Sequence, residues 1–219
     1  MTLTTHAIMF DASTPIGTFL DAAAAKQSTP GGGSVTALVG ALAATMGEMT
    51  LNYSVGKKGL EAHHDVLAPA LRELTHAREV LVRLMIEDQG AFAAVTAARK
   101  RPEADPDRDG HFRAALLACI RIPQAMAATG VAVLEIVDRV ADKVNPWLLS
   151  DLACCADLAM ATVRCALHNV RANLPDVKDP ADRDNLERTS RALLARGLTL
   201  IQRAAPRIWE RHTKECDAS

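Results

Sequence analysis

Apolar residues recur at three- and four-residue steps through most of the chain, and the elements this spacing predicts are helices. Thr14-Pro15 reads as an N-cap followed by proline at the first helical position, which predicts a short helix from Pro15 to Lys26. The turn Ser28-Thr29-Pro30-Gly31-Gly32-Gly33 ends it. A second helix is predicted from Ser34, placed to cap it, to about Ser54. Gly40 and Gly47 stand seven residues apart in that helix and so nearly on one face, where another helix can approach closely. Tight packing there would offset glycine's poor helix propensity.

From Leu60 to Arg99, Leu71, Leu74, Arg78, Leu81 and Met85 keep the helical period, with an interruption expected near Pro69. The charged stretch Arg101 to Gly110 reads as a surface connection. Helical patterning resumes from Phe112 to Lys143, bent or broken around Pro123 and Gly130. Asn145-Pro146 starts a turn, and Ser150-Asp151 precedes an apolar stripe from Leu152 to Asn173. A polar loop, Leu174 to Asp184, leads to a last helical region from Asn185 to about Glu210, interrupted at Pro206 and followed by a polar tail. No internal repeat or low-complexity segment is visible.

Composition narrows this to an all-α, single-domain bundle over residues 1–219, with long and partly kinked helices. Of the 219 residues 49% are hydrophobic and only 3% aromatic, which suits close-packed helices better than a sandwich of strands. Net charge is -1, and basic residues are interleaved with acidic ones, so no nucleic-acid partner is expected. The weakly polar run Val35 to Gly47 looks too short to span a membrane, and the N-terminus lacks a basic region followed by an apolar run; a cytoplasmic protein without a membrane partner is expected. Five cysteines form no C-x-x-C pair and read as reduced core residues. His63-His64-Asp65 places adjacent side chains on diverging sides of a helix, so no metal site is expected.

The candidate chemistry starts at the glycine turn, where bare backbone meets a helix start. Such a junction is either a plain capped loop or a receptor for a flat or anionic ligand. It is not a P-loop, because Gly56-Lys57 is followed by Lys58 and Leu51 stands where the first glycine belongs. Nor is it a dinucleotide fingerprint, since Phe19 to Lys26 is helical in pattern. Asp88 follows Leu84-Met85-Ile86 and precedes Gly90-Ala91-Phe92, a carboxylate at the edge of an apolar surface or a solvated neighbour of Glu87. Asp151 fits a helix start, Lys57 fits a helix C-terminus or an anion contact, and Asn169 and Asn173 share one face.

The motifs Thr29-Pro30-Gly31-Gly32-Gly33-Ser34-Val35, Asn52-Tyr53-Ser54-Val55-Gly56-Lys57, Asp88-Gln89-Gly90-Ala91-Phe92, Ser150-Asp151 and Asn169-Val170-Arg171-Ala172-Asn173-Leu174 occur in this order. As a set the chain resembles the formimidoyltetrahydrofolate cyclodeaminase and methenyltetrahydrofolate cyclohydrolase family over most of its length. The resemblance implies an all-helical homodimer acting on tetrahydrofolate one-carbon derivatives, with no permanently bound cofactor. It implies catalytic roles for Lys57, Asp88 and Asp151, and substrate binding by Gly31, Gly32, Gly33, Ser34, Gln89 and Ser150. A chain of this size has no room for the formiminotransferase domain that accompanies many cyclodeaminases, so cyclohydrolase is the expected activity, with cyclodeaminase or a non-catalytic folate-binding scaffold as alternatives.

Helix length constrains such a site. A continuous helix from Ser34 to Ser54 spans about 30 Å, so Ser34 and Lys57 of one chain cannot both touch one small substrate. Two antiparallel copies of that helix meeting along Gly40 and Gly47 would share the site between subunits. The same ruler separates Asp151 from Asn169 by about 27 Å, and the Asp151 end is expected to serve.

Overall fold

The computed structural model describes residues 9–217, and among them every regular element is helical. The helices are α1 (Ile16–Ala24), α2 (Gly32–Asn52), α3 (His64–Arg99), α4 (Arg108–Val140), α5 (Leu149–Asn173) and α6 (Pro180–Asp217). Single 3-10 turns occupy Glu61–His63, Pro146–Leu148 and Leu174–Asp176. Helices α2 to α5 form an antiparallel ring in which each packs on the next and α5 closes against α2. Outside the ring, α6 lies along α4 and α5.

The glycines of α2 set the register of this ring. A Cβ on Gly40 would stand 2.9 Å from both Leu81 Cδ2 on α3 and Thr162 Cγ2 on α5. One on Gly47 would stand 2.8 Å from Leu74 Cδ1 and 3.0 Å from Cys155 Sγ. Moving seven residues along α2 therefore moves seven residues back along both neighbours, the spacing that keeps one seam facing its partners. The notch left by each glycine is filled from both sides inside one chain. The expectation that Gly40 and Gly47 meet a second subunit is corrected: that face is core.

Three prolines expected to interrupt helices lie inside continuous ones. Each removes a single hydrogen bond, and the orphaned carbonyl finds another partner or water. Pro69 sits in the second turn of α3 and frees only the carbonyl of the exposed Asp65. Pro123 frees the carbonyl of Cys119, which accepts a bond from Asn173 Nδ2 at 3.4 Å. Pro206 frees that of Gln202, an exposed residue. α6 also starts earlier and runs further than its pattern suggested. Its length is held to α4 by arginines: Arg203 and Arg207 pair with Asp138, Arg207 also with Asp142, and Arg211 donates to the Ala141 and Val144 carbonyls just beyond α4.

Other expectations shift in detail. α1 begins at Ile16 with Pro15 as its N-cap, while Thr14 Oγ1 accepts from the Asp11 N–H. Of the cysteines, Cys119 and Cys155 are buried, but Cys154 and Cys165 lie on the outer face of α5. The side chain of Cys216 falls outside the described residues. By length and composition alone α2 and α4 could each cross a membrane, contrary to the shorter run read from sequence, although about half of each apolar window is buried among the other helices.

Candidate functional site

At the start of α2 the heptad seam changes chemistry. Seven residues before Gly40 comes Gly33, and seven after Leu81 comes Asp88, so a carboxylate takes the place a third leucine would fill. A Cβ on Gly33 would fall inside the Asp88 carboxylate, which explains why this position is glycine. On the other flank the series Cys155, Thr162 continues to Asn169, whose Oδ1 lies 3.0 Å from where a Gly32 Cβ would be. Four elements converge here: the glycine turn, with Gly31 half-buried, Gly32 exposed and Gly33 buried, Asp88 from α3, Cys119 from α4 and Asn169 from α5.

Ser34 does not cap the helix as expected. The N-cap is Gly31, in extended backbone, and the buried Ser34 lies within the first turn, donating from Oγ to Asp88 Oδ2 at 3.2 Å. Burial raises the Asp88 carboxyl above its ordinary value of 3.8, and hydrogen bonds from the Ser34 hydroxyl and backbone N–H pull the other way without reversing it. Burial, reinforced by the Asp88 charge, likewise raises the Cys119 thiol, so Cys119 is an inert apolar wall. Asn169 Nδ2 donates to the Cys165 carbonyl at 2.9 Å and to Thr36 Oγ1 at 3.5 Å, leaving Oδ1 toward Gly32.

A second polar group gathers at the other end of α2. Lys57 Nζ donates to Asn145 Oδ1 at 2.6 Å. Asn145 is buried, donates its N–H to Ser54 Oγ at 2.9 Å and accepts from the Trp147 N–H, so the lysine is held on a fixed acceptor. Asp151 lies in the first turn of α5 without a side-chain cap bond, four residues before Cys155 and thus on the α2 side of that helix. Ser150 is turned elsewhere, lining a groove between α5 and α6 with Ala205 and Trp209.

Among the sequence candidates the structure brings together Gly31, Gly32, Gly33, Ser34 and Asp88, and adds Asn169. It keeps Lys57 and Asp151 apart from them, since the 21 residues of α2 span about 30 Å. Within one protomer the Asn169 end of α5 meets the glycine turn, not the favoured Asp151 end. Gln89, an expected substrate contact, has its amide engaged within the chain. It is 3% exposed, accepts from the Phe10 N–H at 2.8 Å and donates to the Phe10 and Met85 carbonyls at 2.8 and 3.0 Å, so its amide fastens the chain before α1 to α3. Asn145-Pro146 marks a turn in the sequence but not the long-range contact to Lys57. No cluster of three metal-binding side chains occurs among the described residues.

Residues 15–192 match the family described as formiminotransferase-cyclodeaminase. The chain is 30% identical over 192 residues to a methenyltetrahydrofolate cyclohydrolase of Methylorubrum extorquens, covering 86% of this chain and 92% of that one. It is 29% identical over 169 residues to the formimidoyltransferase-cyclodeaminase of Gallus gallus, covering 75% of this chain but only 31% of that longer protein. The crystal structure of formiminotetrahydrofolate cyclodeaminase from Thermotoga maritima superposes with a TM-score of 0.84 at 27% identity, over 90% of this chain and 97% of that one.

The raised carboxyl gives Asp88→Asn a defined signature. A folded-state value above the unfolded one means the fold binds that proton more tightly, so stability falls as pH rises from 3.8 through the raised value. Above that window the charged form carries the full cost of burial. Asp88→Asn is therefore expected to keep or raise the melting temperature at neutral pH. A clear fall would make Asp88 a structural cap of α2.

Proposed function

The chain belongs to the formiminotransferase-cyclodeaminase family, and from that premise we propose that it is a methenyltetrahydrofolate cyclohydrolase, converting 5,10-methenyltetrahydrofolate to 10-formyltetrahydrofolate. The observation that carries this reading is the carboxylate of Asp88, half-buried against Gly33 in the first turn of a helix and holding its proton more tightly than an ordinary aspartate. The methenyl bridge is a cationic amidinium. It needs no metal to become electrophilic, only a water held beside it and a group to take that water's proton.

Asp88 supplies both. Its anion faces the cation while its oxygen accepts the proton as water adds to the bridging carbon. The tetrahedral adduct then breaks its bond to N5, which takes up the proton from Asp88, and the adduct's hydroxyl loses its proton to solvent as the formyl carbonyl forms. The net change is addition of one water and release of one proton. A raised proton affinity suits a group that must take and return a proton near neutrality. Asn169 Oδ1 and the N–H groups at the start of α2 offer an acceptor and donors for the polar edge of the pterin.

The partner of this half-site is a second copy of the chain. α2 is packed on its α3 and α5 sides, and its third side exposes Val35, Leu42, Met49 and Tyr53 at seven- and four-residue steps. Leu42 is 45% exposed at the centre of that strip. Laying two such strips antiparallel about Leu42 buries them and brings Lys57 of one subunit beside the glycine turn of the other. The dimer is thus the one expected from helix length, assembled through the opposite face of α2. In it Lys57 steadies the adduct's oxygen or the folate carboxylate, and Asp151 adds a second negative charge.

Cyclodeamination is the second reading, favoured by the cyclodeaminase relatives and the fold shared with the Thermotoga maritima enzyme. There N10 attacks the formimidoyl carbon and ammonia leaves, a step the same carboxylate serves as acid.

Purified protein given methenyltetrahydrofolate is expected to consume the methenyl absorbance well above the buffer rate, and Asp88→Asn to lose about a hundred- to ten-thousand-fold of that rate. Ammonia release from the formimidoyl substrate without hydrolysis of the methenyl compound would select the second reading, and binding without turnover of either would leave a folate-binding module. For the shared site, Lys57→Ala and Asp88→Asn chains, each impaired alone, are refolded together. Heterodimers carry one intact site, so about a quarter of wild-type activity returns on random pairing; no recovery in demonstrated heterodimers places the whole site in one subunit.

A further inference from the structure

Beside the Asp88 site, a groove of about 320 Å³ runs between the Ser28-Thr29 segment and the outer side of α3. Its floor is the engaged Gln89, and its α3 wall is made by Phe92, Thr96 and Lys100. Nothing in the chemistry at Asp88 uses it. Phe92 is 42% exposed, an aromatic face left in solvent in a chain where only 3% of residues are aromatic. Arg99 and Arg101 on either side of Lys100 are paired with Asp176 and Asp105, whereas Lys100 enters no ion pair among the described residues.

The spacing has a direction. Asp88, Phe92, Thr96 and Lys100 follow at four-residue steps, so Phe92 lies about 6 Å and Lys100 about 18 Å along α3 from the carboxylate. A folate carries its one-carbon unit at one end of a benzoyl amide and its glutamate carboxylates at the other, about 10 Å away from bond lengths. A lysine side chain reaches back about 6 Å. With the bridge at Asp88, the benzoyl ring falls at Phe92 and the first glutamate carboxylate within reach of Lys100.

We propose that this groove is the subsite for the aminobenzoyl-glutamate arm of the substrate, with Phe92 stacking on the ring and Lys100 pairing with a glutamate carboxylate. The proposal rests on the folate reading of the Asp88 site and adds to it residues that set affinity, not rate. Lys100 acts as a point charge at an exposed position, so its contribution is modest and salt-sensitive.

Kinetics of Lys100→Ala, Lys100→Arg and Phe92→Ala test it with two substrates, methenyltetrahydrofolate and methenyltetrahydropteroate, which lacks the glutamate. Lys100→Ala is expected to raise KM for the first about two- to fivefold with kcat unchanged, to leave the second unaffected, and to be rescued by arginine. Phe92→Ala should raise KM for both. An equal effect of Lys100→Ala on the two substrates, or none on either, overturns the proposal. If neither substrate turns over, the cyclohydrolase reading falls by itself, and calorimetric binding of p-aminobenzoyl-glutamate decides the groove: weaker binding to Lys100→Ala than to wild type upholds it, equal binding refutes it.

Discussion

Everything in this fold depends on how closely α2 can be approached. Gly40 and Gly47 let Leu81 and Leu74 from one side, and Thr162 and Cys155 from the other, press against the α2 backbone. The gain is dispersion contact and excluded water along the seam. The cost is glycine's helix propensity, about 1 kcal/mol at each position. Because both neighbours interlock with the same notches, the register of three helices is fixed at once. Whatever occupies the next heptad position is then carried to a defined place.

That position is where packing gives way to chemistry. A leucine after Leu74 and Leu81 would complete a dry seam; Asp88 stands there instead, beside Gly33, with Asn169 completing the opposite row. The carboxylate is desolvated by the bundle and answered only in part by Ser34, so its proton affinity rises. The site is thus the last layer of the core with its apolar residues exchanged for an acid and an amide. It opens at Gly31 and Gly32, half-buried and exposed, while the Asp88 carboxylate covers the buried Gly33.

Much of this was legible in the sequence. The helices follow from the three- and four-residue period, and Gly40 and Gly47 were recognisable as a close-approach face. What they approach was not, because periodicity ranks faces of a helix without naming the neighbour; two faces of α2 carry seven-residue apolar series, and the one rich in glycine went inside. The prolines misled for a related reason. Proline lowers local propensity, but Asn173 can reach across to the carbonyl that Pro123 leaves free, and that contact spans 54 residues. The motif around Gln89 gives no sign that its amide secures Phe10, 79 residues away. The continuation of the heptad from Leu81 to Asp88 was a readable signal that the motif itself obscured.

The central claim is that the proton lost from attacking water goes to Asp88. Its most direct test is to record the pH dependence of kcat/KM for methenyltetrahydrofolate and, on the same protein with ¹³C-labelled aspartate, the titration of the Asp88 carboxyl. The account predicts one apparent pKa in both, above the ordinary 3.8, with activity lost as pH falls below it. An Asp88 titration at the ordinary value, or an acidic limb that persists in Asp88→Asn, would contradict it.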